Sequence, residues 1–251
     1  MPRPEPTLAQ LIGQKLVVAM TGTAPSADLL GRIRRGEVGG VILFGANITS
    51  AGQVKALTGA LHTAATEGGQ PRLLVYVDQE GGSIKRIAWA PPTLSPPEMG
   101  ERGSAAVARA QGAATGAALR GLGIDVDLAP VADVPVSSEA FIARQARTFS
   151  SSPEWTAILA DAFAAGLRSA GVLPVMKHFP GLGLALANTD LSVDTIDAPA
   201  AGLAPGLVPY RVAIADGIPM VMLANATYTA LDPNAAAGWS PAISVTLLRY
   251  E

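Results

Sequence analysis

Two short runs carry the side chains most able to do chemistry. Asp78-Gln79-Glu80-Gly81-Gly82-Ser83-Ile84-Lys85-Arg86 sets two carboxylates and an arginine around paired glycines, directly after the apolar run Leu73-Leu74-Val75-Tyr76-Val77. Acidic groups at a strand end followed by glycines suit a place where backbone passes close to a ligand. The competing reading is a Gly-Gly turn with solvated charges. Lys177-His178-Phe179-Pro180-Gly181-Leu182-Gly183 places an ammonium and one of the chain's two histidines where a buried strand ends. An ammonium there costs solvation unless an anionic or hydroxyl-rich partner meets it. His178 beside Lys177 therefore points to ligand contact, whereas His62, in mid-helix, reads as a structural histidine. Lys177 could also serve as a Schiff-base lysine in an aldolase-like barrel.

Two other groups speak less clearly. Asn188-Thr189-Asp190 lies on the loop after the same strand and reads from its residue types as an Asx-type turn. Arg144 and Arg147 follow Ala129-Pro130-Val131-Ala132-Asp133-Val134, and either could bridge to Asp133 or reach a ligand. The sequence has no phosphate loop, no H-E-x-x-H and no G-x-S-x-G elbow, and two histidines are too few for a His-based metal site. Asn47-Ile48-Thr49 and Asn225-Ala226-Thr227 match the glycosylation sequon but adjoin predicted strands, which discounts them.

The elements that must position these groups are legible as alternation. Short apolar runs at Leu16–Met20, Gly40–Phe44, Leu73–Val77, Asp125–Val131, Val172–Met176 and Met220–Leu223 read as six strands. Thr7-Leu8-Ala9-Gln10 reads as a capping box opening the first helix. Helical patterns follow around Ala27 to Arg35, Ser50 to Glu67, Ser104 to Leu122, Ser152 to Ala170 and Leu207 to Ala215, and Ser240-Pro241 opens a last one. Strands that are apolar throughout imply burial on both faces in a parallel sheet. Polar residues cluster just after them (Asn47, Asp78, Asp133, Lys177 with His178, Asn225), where a βα barrel builds its site. No G-x-G-x-x-G follows the first strand, which weakens the dinucleotide-binding alternative. The expected fold is thus α/β, a TIM-type (β/α) barrel in one domain over residues 1–251.

Composition narrows the classes further. The chain has 251 residues, is 49% hydrophobic and only 15% charged, which excludes disorder. A net charge of −2 argues against nucleic-acid binding. The absence of Cys excludes disulfides, thiolate metal sites and Cys nucleophiles. No apolar stretch approaches the ~20 residues that span a bilayer, and no apolar h-region follows the start, so the expected location is cytoplasmic, away from membranes.

A closed barrel of this kind takes eight strands, and six are legible here. A sheet stopped at six leaves two edges open, which natural proteins avoid. The expectation is that the natural domain continues past Glu251.

Taken in order, these residues resemble the N-terminal barrel domain of glycoside hydrolase family 3, most closely its bacterial β-N-acetylglucosaminidase branch. The resemblance runs through Gly39–Phe44, Asp78–Gly82 with Arg86, Leu128–Val134, Arg147-Thr148-Phe149 before Ser152-Pro153, Lys177–Gly181 with Gly183, Met222–Tyr228, Leu231-Asp232-Pro233 and Leu247-Leu248-Arg249. It implies retaining hydrolysis of β-linked N-acetylhexosaminides, such as cell-wall or chitin-derived sugars, through a covalent glycosyl-enzyme and without a metal or organic cofactor. Such chemistry takes a carboxylate nucleophile and a second acid/base group, with carboxyl pairs about 5–5.5 Å apart in the usual case. By position, the resemblance makes Asp78, Arg86, Arg147, Lys177 and His178 the sugar-binding set.

Three departures stand out. Asn188-Thr189-Asp190 replaces the family's Asp-Ser-His, so Asp190 occupies the acid/base position. Ala224-Asn225 replaces the family's Ala-His. The family nucleophile is an Asp on a seventh strand, beyond the Leu247-Leu248-Arg249 helix, and is not among these residues. The chain as given is therefore expected to be inactive, and the alternative is a non-catalytic sugar-binding or remnant barrel.

Overall fold

A computed structural model describes residues 5–250. Its centre is a six-stranded sheet made of β1 (Val17–Ala19), β2 (Gly40–Leu43), β3 (Leu74–Val77), β4 (Val126–Asp127), β5 (Leu173–Phe179) and β6 (Met220–Leu223). The strands lie side by side in sequence order, every neighbouring pair parallel. The helices are α1 (Leu8–Gly13), α2 (Ala27–Arg34), α3 (Ala51–Glu67), α4 (Pro96–Arg102), α5 (Ala105–Gly121), α6 (Phe141–Arg144), α7 (Pro153–Ser169) and α8 (Ala200–Ala215). Helices return the chain between successive strands, so all strand C-termini open on one side. This is the architecture of an incomplete TIM-type barrel, a curled half-barrel whose β1 and β6 edges are unpaired among the described residues.

Local chemistry explains the boundaries. Thr7 and Gln10 close the expected capping box on α1, and Ser26, Ser50, Ser104 and Ser152 each accept from the first turn of the following helix. The core is apolar: Val41, Leu43, Val75, Val77 and Met176 from the strands meet Leu57, Leu61, Leu119, Phe163 and Leu167 from the helices. Against α8, a cleft of about 400 Å³ is lined by Phe179, Leu207, Tyr210, Leu247 and Arg249, among others. No helix among the described residues is long and apolar enough to cross a membrane.

Four expectations need correction. The fourth strand is only two residues long, and beyond it the segment stays beside β5 through the Ala129 and Pro130 carbonyls and an isolated bridge from Val131 to Lys177. β5 runs three residues further than expected, so Lys177 and His178 stand on the strand itself, joined by a cis peptide. α8 starts seven residues before its expected beginning and accommodates Pro205 and Pro209 inside it. There Gly206 presses against the Pro180–Gly181 turn, where a side chain would crowd the backbone. The last helical stretch is wound as a π-helix over Ala242–Leu247 before Leu248–Tyr250.

A second, small sheet escaped the sequence reading. Asp194–Ile196 pairs parallel with Ala226–Tyr228, which pairs antiparallel with Asp232–Ala236. These segments are short and polar, and the last contains Pro233, so neither alternation nor β-propensity marks them.

Candidate active site

Asp78 leaves the end of β3, and the chain then turns back through a tight hairpin (Gln79–Gly81 against Ile84–Lys85). Gly81 and Gly82 sit at φ +98° and +58°, conformations that the paired glycines supply without strain. Extended backbone sends alternate side chains the same way, so Asp78 and Glu80 project together. Lys177, from the end of β5, meets both: its Nζ lies 2.7 Å from Asp78 Oδ1 and 2.6 Å from Glu80 Oε1. Arg147, after α6, closes the cluster as a fork, with Nε and Nη2 donating to the two Glu80 oxygens at 2.8 and 2.7 Å.

This cluster is out of water. The side chains of Lys177 and Glu80 are 2% and 1% exposed. Burial pushes the Glu80 carboxyl up, but Lys177 and Arg147 outweigh it and hold the group down at about 2. Burial likewise pushes Lys177 down, and Glu80 with Asp78 more than reverses it, so the ammonium stays charged above its ordinary value. A Schiff-base lysine needs a lowered pKa and a free amine. The aldolase reading of Lys177 is therefore overturned.

Arg86 stands at the rim. Its Nη2 is 3.8 Å from Asp78 Oδ2, and its guanidinium carbon lies 5.9 Å from the centre of the Phe44 ring. His178 has its Nδ1 2.7 Å from Asp133 Oδ2, and Asp133 also accepts the backbone N–H of Leu182 at 2.7 Å. That carboxylate fixes the imidazole's orientation. Gly183 lies where any side chain would overlap the Val134 carbonyl, which packs the following loop onto the segment carrying Asp133. Neither arginine bridges to Asp133, contrary to one of the two expectations: Arg147 goes to Glu80, and Arg144 to the carbonyls of Glu139 and Leu186. Asp133 is spent on His178 instead.

Asp190 is exposed on the loop above the cluster, close enough for its charge to act on Arg147. The Asx turn expected of this triplet is present, with the Asp190 N–H donating to Asn188 Oδ1 at 2.9 Å. Asn225 Nδ2 donates to the Thr189 carbonyl, and the Asp194–Ile196 strand anchors the loop's far end. The sequon asparagines are both committed to backbone carbonyls, Asn47 to those of Met20 and Gly22. His62 bonds Asp125 at the opposite end of the sheet.

Glu80 is the hub that the sequence reading passed over, although its i, i+2 spacing from Asp78 was a usable signal. Asp127, wholly buried at the end of β4, was missed as well because it sits inside an apolar run. No group of three or more His, Asp or Glu among the described residues could hold a metal ion. The arrangement offers converging charged donors and acceptors at the strand C-termini, the recognition chemistry of vicinal hydroxyls.

The profile of the glycosyl hydrolase family 3 N terminal domain matches residues 7–251. A curated β-hexosaminidase from Nitrosomonas eutropha is 35% identical over 222 residues, covering 85% of this chain and 62% of that protein. Among solved structures, a family 3 β-N-acetylglucosaminidase from Paenibacillus sp. superposes with a TM-score of 0.92 at 30% identity, over 97% of this chain and 47% of that one. NagZ from Neisseria gonorrhoeae in complex with N-trifluoroacetyl-D-glucosamine gives 0.85 at 28% identity, over 94% and 70%. The chain thus spans from under half to about two thirds of the length of these relatives.

Proposed function

The chain belongs to glycosyl hydrolase family 3, and from that membership we propose that it forms the sugar-binding mouth of a retaining hydrolase of β-linked N-acetylhexosaminides. The observation that carries this reading is the Asp78–Lys177–Glu80–Arg147 cluster at the strand C-termini. Asp78 keeps lone pairs for a sugar hydroxyl, while Arg86 and His178 add donors at the rim. The similarity to β-hexosaminidases and β-N-acetylglucosaminidases supports the N-acetylated substrate class.

The carboxylates of the mouth divide by commitment. Asp78 and Glu80 are ion-paired, Asp133 is bound to His178, and Asp127 is buried. Each of the four is thus paired or buried. We assign the acid/base role to exposed Asp190. A carboxylic acid at that position can make the proton transfer that the family's histidine makes.

Titration of the 251-residue chain with N-acetylglucosamine by ligand-observed NMR tests the mouth. Asp78→Ala and Lys177→Ala should each weaken binding at least tenfold; unchanged binding in both would place the sugar elsewhere. In a longer chain that hydrolyses glycosides, Asp190→Ala should strongly impair substrates with poor leaving groups and spare the first step on activated aryl glycosides. Azide should then rescue the second step. Equal losses on both substrates without rescue would return Asp190 to its turn.

A further inference from the structure

Asp127 is a wholly buried carboxyl that the proposed reaction does not use. It ends β4, between Asp78 and Glu80 on the β3 side and Lys177 on the β5 side. One oxygen, Oδ1, accepts the backbone N–H of Gln79 at 3.0 Å, the residue between the two cluster carboxylates. The other, Oδ2, has no hydrogen-bond partner among the described residues. Asp125, two residues earlier on the same segment, is committed to Arg72 and His62.

An ionised carboxylate buried with one bare oxygen is poorly supported, whereas a neutral acid in the same place loses far less solvation. The charges nearby point the same way. Lys177 is already shared between Asp78 and Glu80, so a third anion beside them would compete for one ammonium. We infer that Asp127 is a positioning residue that is held as the neutral acid, and that its deprotonation loosens the Asp78–Lys177–Glu80 cluster by drawing Lys177 and pushing the two carboxylates apart. Burial raises this carboxyl to about 8, against the pull of Gln79's N–H and Lys177. The mouth therefore carries an alkaline limit set from beneath. Its consequence for sugar affinity rests on the function proposed above; the protonation itself does not.

The sign follows from linkage. A group protonated in the folded state but ionised in the unfolded chain lowers stability as pH rises, until the folded group also ionises. Relative to an Asp127→Asn variant, the wild-type chain should lose roughly 5–10 °C of melting temperature between pH 6 and 8, then level off. Infrared spectra of the wild-type chain at pH 7 should contain a carboxylic-acid carbonyl band that vanishes above pH 9 and is absent from the variant. N-acetylglucosamine affinity should fall at least fivefold from pH 6 to 9.5 in the wild type and stay within twofold in the variant. Parallel melting curves, or no acid band, would overturn the protonation. A band and diverging melts with wild-type affinity flat across pH would overturn the positioning role. If neither protein binds the sugar at pH 6, the function proposed for the mouth fails, and the melting curves and band still decide the state of Asp127.

Discussion

The sheet carries an ionic cluster at each end, and the two are built differently. At the strand N-termini, Asp125 accepts from Arg72 at 2.6 Å, from the Val75 N–H at 3.0 Å and from His62 at 2.9 Å, with Arg120 at 3.6 Å. Burial pushes that carboxyl up, but His62, Arg72 and the Val75 N–H together hold it below its ordinary value. Its arginines keep their heads in water, 56% and 51% exposed. At the strand C-termini both signs are buried, in Lys177, Arg147 and Glu80. Desolvating a cation and an anion together costs several kcal/mol per ion before their attraction returns it. A clamp between chain segments needs only the first arrangement. The second keeps charged donors and acceptors fixed and dry beside a mouth, which is what binding a polar ligand requires.

The sharpest way to break this contrast is to remove the buried hub. Glu80→Ala leaves Lys177 and Arg147 without their shared counter-charge, and urea denaturation should show a loss of about 3–5 kcal/mol. A loss under 1 kcal/mol would mean that water reaches the cluster and that the two ends are alike.

Acid should separate the ends next. Glu80, held at about 2 when folded against an ordinary 4.5, contributes stability that is fully present above about pH 4.5 and is lost as pH falls toward 2. The gap in melting temperature between wild type and Glu80→Gln should close across that window, corresponding to roughly 3 kcal/mol. A gap independent of pH would assign the Glu80 effect to packing.

The smallest effect belongs to the exposed clamp. Arg72→Ala should cost about 1 kcal/mol or less, fall further with added salt, and leave N-acetylglucosamine affinity unchanged. A larger loss would move the lower cluster into the class of the upper one.

Much of this was legible beforehand. Apolar runs placed all six parallel strands, and capping residues placed the starts of most helices, because both signals are local. Asp78, Lys177 and His178 were locatable as strand-end groups for the same reason. Glu80 sat in plain view in the first motif, yet only its burial against two cations separates it from an ordinary solvated turn carboxylate. The sheet that anchors the Asp190 loop left no local trace at all, since its three short segments stabilise one another only in contact.

Partner choice was the property that sequence could not hold. Lys177 meets Asp78 across 99 residues, Arg147 meets Glu80 across 67, and His178 meets Asp133 across 45. The sequence by itself determined the alternation of strand and helix, the parallel sheet and the end of it where charges gather. Tertiary structure decided which charges pair, which are dry and which carboxyl stays neutral. The physical reason is desolvation: a charge's partner and its protonation depend on how much water its neighbours exclude, and that exclusion exists only once β3, β4 and β5 lie side by side.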